Sequence, residues 1–142
     1  MLRSLLITAM AATLAVSMGF ANERANKLAI PVGKTAPTSG KVMYSSYCAP
    51  CHGIDGRGRG PAASALRTPP TDLTALSRNN RGRYPDTHVV SVLLYGAEIP
   101  ARRNPEMPTW GPILGKMNQS NPQDRLLRVS NLSRYLEAIQ VR

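Results

Sequence analysis

Hydrophobic positions recur with a helical period in two stretches of the chain. In PDTHVVSVLLYG, Val89 pairs with Leu93 and Val90 with Leu94 at a spacing of four, which places them on one face of a helix. Pro85 and Asp86 suit its start and Gly96 its stop, so the pattern predicts a helix from about Asp86 to Tyr95. In NPQDRLLRVSNLSRYLEAIQ, Leu132, Tyr135, Leu136 and Ile139 fall at helical spacing, with Asn121 as N-cap, Pro122 at the first helical position and Asp124 in the first turn.

A third helix is expected in GKVMYSSYCAPC, where Thr38 or Ser39 can cap the first turn and Val42 or Met43 shares a face with Tyr47. AASALR reads as at most two helical turns before Thr68, Pro69 and Pro70 force the chain to extend. TDLTALSRNN reads as a further short helix ending at Asn79, Asn80 and Gly82. No segment alternates convincingly like a strand, so the expected class is all-α, with several short helices joined by long loops.

Other stretches lack this period. Residues 1–21, MLRSLLITAMAATLAVSMGFA, have the make-up of a secretory signal: Arg3, a continuous run of apolar or small residues, then Gly19 and Ala21 before a cut. An uncleaved anchor is the alternative, but the run is shorter than the ~20 apolar residues a span requires. Residues 22–38 carry two prolines and no sustained apolar period, and read as an extended or flexible leader. One domain, 39–142, is expected to follow. Within it, prolines at 100, 105, 108 and 112 make the region from Ala97 to Asn121 largely loop, and a loop of that length in a compact domain is usually functional.

Composition sharpens this picture. The 142 residues suffice for one core and are too few to argue for two. The formal net charge is +10, and losing Arg3 with the signal leaves the mature chain strongly basic. Its aromatic set is then Tyr44, Tyr47, Tyr84, Tyr95, Tyr135 and Trp110. That is a thin supply for a core, and it suggests that something besides side chains fills the middle.

The two cysteines, Cys48 and Cys51, stand in CAPCH together with His52. C-x-x-C-H is the attachment signal for a c-type haem: both sulfurs bond covalently to the porphyrin, and the adjacent histidine is directed at the iron. Export agrees with this, since bacterial attachment takes place outside the cytoplasm, as does the thin aromatic core. A thioredoxin-like pair would need alternating strands and helices. Zinc would want four ligands, and apart from carboxylates the chain offers only Cys48, Cys51, His52 and His88, with no second closely spaced pair. A plain disulfide is the remaining alternative.

The iron's sixth ligand would come from Met43, Met107, Met117 or His88. Met43 lies on the cysteine helix and does not easily reach across. Met107, in NPEMPTWGP, has Pro105 and Pro108 to stiffen its backbone and lower the entropy lost in presenting a thioether, which favours it over Met117. His88 would give a bis-histidine site instead; methionine ligation would raise the reduction potential. The carbonyl of Pro61 is a candidate acceptor for the Nδ1 proton of His52.

With these residues in place, the chain resembles the class I cytochromes c, specifically small exported bacterial monohaem forms, from about Gly40 to Gln140. Gly40 and Tyr44 resemble the Gly-x-x-x-aromatic of the first helix, CAPCH the haem site, and GRGP the loop carrying the proline behind the proximal histidine. PEMPTWGP resembles the distal methionine loop, and Leu132 with Tyr135 the Leu-x-x-Tyr face of the last helix. The resemblance implies a cytochrome c fold in which first and last helices cross at Gly40 and Tyr135. It also implies one-electron transfer rather than enzymatic turnover, with one haem c ligated by His52 and Met107. Either a free periplasmic carrier or a haem subunit of a larger oxidoreductase would satisfy it.

Eight arginines, at 57, 59, 67, 78, 81, 83, 102 and 103, stand against Asp72, Asp86 and Glu98. Some could pair with haem propionates. The rest could steer an acidic redox partner, or simply form a solvated face. Export and the lack of a reader motif argue against nucleic acid.

Overall fold

In the computed structural model the described residues are Gly33, 35–96 and 106–141. The expected signal, 1–21, lies outside them, as do Arg102 and Arg103. The described residues form helices and turns without a strand, in keeping with the all-α expectation.

The first helical run starts where Ser39 accepts from the Val42 amide at 3.3 Å. It comprises α1 (Gly40–Met43), a π-helical turn (Tyr44–Cys48) and α2 (Ala49–His52). Pro50 accounts for the wider turn. It has no N–H to donate, and in α-geometry its ring would press on the carbonyl four residues back. The ladder instead steps to a five-residue spacing, with the Ala49 amide on the Tyr44 carbonyl.

After α2 come two 3₁₀ turns, Ala63–Ala65 and Leu73–Ala75, the second running into α3 (Leu76–Asn79). Asp72 caps that second turn through the Thr74 amide at 2.8 Å and hydroxyl at 2.6 Å. Helix α4 (Asp86–Tyr95) spans the residues its periodicity predicts, with Val89 and Leu93 buried.

The expectation of loop from Ala97 to Asn121 is corrected in part, because Trp110–Lys116 forms helix α5. Pro112 does not prevent it. It sits in the first turn, where the amide it lacks would have had no intrahelical partner. Helix α6 (Asp124–Ala138) begins later than its capping pattern suggests: Asn121 accepts from the Gln123 amide in a preceding turn.

Helices α1 and α6 cross at Gly40, and Tyr44 packs on Tyr135 with ring centroids 5.1 Å apart. The core gathers Met43, Tyr44, Tyr47, Trp110, Leu114, Val129, Leu132 and Leu136. Asp124 and Arg128, a turn apart on α6, form a buried ion pair, and Arg128 also donates to the Thr35 carbonyl at 2.8 Å. The Gly33 carbonyl accepts from the Tyr47 hydroxyl, and the Pro37 carbonyl from Asn131 at 2.9 Å. Among the described residues no helix is long and apolar enough to cross a membrane.

Candidate functional site

The loop after α2 fixes the end of the CAPCH helix. Chain reversal brings the amides of Ala62, Gly60 and Gly58 onto the carbonyls of Pro50, Cys51 and His52 at 2.8, 2.9 and 2.7 Å. These carbonyls have no helical partner, so the loop closes the helix that carries the cysteines. Gly58 has to be glycine there: its φ is +77°, and a β-carbon would lie 2.2 Å from the Pro70 carbonyl oxygen.

A cavity of about 470 Å³ opens beside this helix. That lies within the range of about 300–1,000 Å³ typical of ligand and cofactor sites. Tyr47, Cys48, Cys51 and His52 form its helical side. Leu66, Pro70, Leu73 and Leu76 line it from the segment that follows, Val89, Val92 and Leu93 from α4, and Met107, Pro108 and Trp110 from the proline-rich region. Thr71, Asn79, Asn80 and Glu106 add polar groups.

The two thiols are free, and burial raises the pKa of each, Cys48 to about 12. A redox-exchanging C-x-x-C pair works through a stabilised thiolate. These surroundings disfavour one. Nor does any group of three or more His, Cys, Asp and Glu side chains among the described residues have the placement to hold a metal ion.

His52 donates through Nδ1 to the Thr71 carbonyl at 2.9 Å. A carbonyl can only accept, so a proton is on Nδ1, and in the neutral ring Nε2 then carries the lone pair. Burial holds the imidazole pKa below its usual value, against the opposing pull of Thr71. The acceptor expected from sequence, the Pro61 carbonyl, is thereby corrected. Pro61 is exposed and does not line the cavity, because the three amide contacts above direct its turn past the helix end. Thr71 follows the stiff Pro69–Pro70 pair, a signal for an extended segment that does not by itself point to His52.

Met107 is half-buried and lines the cavity. Met117 does not; it packs against the core, with the Tyr47 hydroxyl 3.7 Å from its sulfur. Met43 is fully buried in the core. His88 lines the cavity but is exposed. Trp110 stacks on Tyr47 at 5.6 Å, joining the Met107 region to the residue before Cys48. Glu106 bonds to the amides of Arg67 and Thr68.

The arginines at 57, 59, 67, 78, 81 and 83 are exposed. Asp55 lies 3.9 Å from Arg57 and 3.5 Å from Arg59, which neutralises part of that charge locally. Compared with models of known protein families and with curated proteins, the chain matches none.

Proposed function

We propose that the chain is an exported one-electron carrier built around a single haem c. Cys48 and Cys51 would hold the haem covalently, and His52 and Met107 would ligate its iron. The observation that carries this reading is the convergence of the C-x-x-C-H residues and Met107 on one largely apolar cavity. The donor set fits the group: two protonated thiols, a neutral imidazole with Nε2 available, and a thioether.

Bound there, the haem supplies a ferric–ferrous couple. The chain's own residues do the rest. Thr71 fixes the His52 ring, the leucines and valines exclude water, and a methionine ligand favours a raised potential. The side-chain amides of Asn79 and Asn80, which line the cavity, are suited to propionates, and the exposed arginines to an acidic redox protein in the periplasm.

The test is an absorption spectrum of the exported protein beside a denaturing gel stained for haem. Staining that survives denaturation, and disappears in a Cys48→Ala/Cys51→Ala variant, is the expected result. An unstained, colourless wild-type chain from cells competent for haem attachment would sink the proposal.

A further inference from the structure

One short stretch of backbone, residues 66–71, touches the surroundings of both proposed axial ligands. At one end the Thr71 carbonyl takes the Nδ1 proton of His52 at 2.9 Å. At the other, the Arg67 amide donates to both carboxylate oxygens of Glu106, at 3.1 and 3.0 Å, and the Thr68 amide donates to one of them at 3.2 Å. Glu106 immediately precedes Met107, and both line the cavity. The contact bridges a sequence separation of 38 to 39 residues.

We propose that Glu106 is a positioning residue. Its carboxylate clasps the Met107 segment to the backbone that orients His52, so the placement of one ligand is tied to that of the other. This inference rests on the haem reading above. A carboxylate suits the task because it accepts from two successive amides at once, and bonds to a charged acceptor are stronger than neutral ones. The prolines at 69 and 70 and at 108 stiffen the chain on both sides, so the clasp joins two restrained pieces of backbone.

Without the clasp, Met107 would be held less firmly, and an added ligand would compete better with its thioether for the iron of a bound haem. In the exported, haem-loaded full chain, Glu106→Ala should raise apparent carbon monoxide affinity about five- to tenfold, near the factor carried by one charge-assisted hydrogen bond at a partly exposed site. Glu106→Gln keeps an acceptor oxygen without the charge, so its carbon monoxide affinity should fall between wild type and alanine; both variants lose the same charge, so the potential of Glu106→Ala should lie below that of Glu106→Gln.

A readout independent of haem is amide hydrogen exchange at Arg67 and Thr68, which should be slow in wild type and faster in Glu106→Ala. Unchanged exchange, or faster exchange with unchanged carbon monoxide binding and equal potentials in the two variants, would overturn the inference. A wild-type chain without haem would overturn the functional reading instead, and the role at Met107 with it.

Discussion

Gly40 lies directly against the backbone of Asn131: a β-carbon added to it would come within 2.1 Å of the Asn131 carbonyl oxygen and 2.9 Å of Tyr135 Cβ. Helices α1 and α6 can approach this closely only through a residue with no side chain. Gly40→Ala should therefore push them apart and cost about 1–3 kcal/mol or more, the usual penalty for overpacking. The measurement is a denaturant titration, with Gly33→Ala as control. Nothing lies within 4 Å of the β-carbon position at Gly33, and stability there should change by less than about 0.5 kcal/mol.

The buried pair of Asp124 and Arg128 invites a double-mutant cycle. Arg128→Met strands a carboxylate that is only 6% exposed, and should cost about 3–5 kcal/mol. Replacing both, as Asp124→Leu with Arg128→Met, should recover much of that loss, because no lone charge is left inside. Arg128 also donates to the Thr35 carbonyl, so both variants should cleave faster by protease near residue 35.

Tyr84 makes stability sensitive to alkali. Burial pushes its phenol up to about 12 from 10.0, against the pull of its bond to Ser133. The folded chain thus keeps a proton that the unfolded chain releases first. The resulting stabilisation is intact below pH 10 and is lost as pH rises from about 10 to about 12. Tyr84→Phe should flatten that part of the pH–stability curve without abolishing it, since burial also raises Tyr44. At neutral pH it should cost about 1 kcal/mol for the bond to the Ser133 carbonyl.

Three substitutions separate the candidates around the proposed iron. Met107→Ala should lower the potential and admit carbon monoxide. Met117→Ala should leave ligation intact but cost about 2 kcal/mol in packing, the low end for such a truncation, because Met117 is only partly buried where it packs on the core and meets Tyr47. Pro61→Ala should leave the potential unchanged, because the His52 proton goes to Thr71. A shift in potential for Pro61→Ala would contradict that assignment.

What the sequence made legible follows from how local each signal is. Helix α4 was readable because its apolar pairs, its proline start and its glycine stop all fall within a dozen residues. The helical run that carries CAPCH was readable for the same reason. Helix α5 was hidden by Pro112, since a proline scored as a breaker is harmless in a first turn. Thr71 and Glu106 act through a backbone carbonyl and on backbone amides, so neither leaves a side-chain pattern to find. Leu66, Leu73 and Leu76 line the cavity from turns too short to show any period.

The π turn at Tyr44–Cys48 has a geometric consequence for the whole molecule. Taking one residue more than an α-helical turn, it offsets everything beyond it by about 100° around the axis, the rotation of a single residue. A single helical run can thereby aim in two directions chosen separately, with Gly40 set against α6 and Cys48, Cys51 and His52 set toward the cavity.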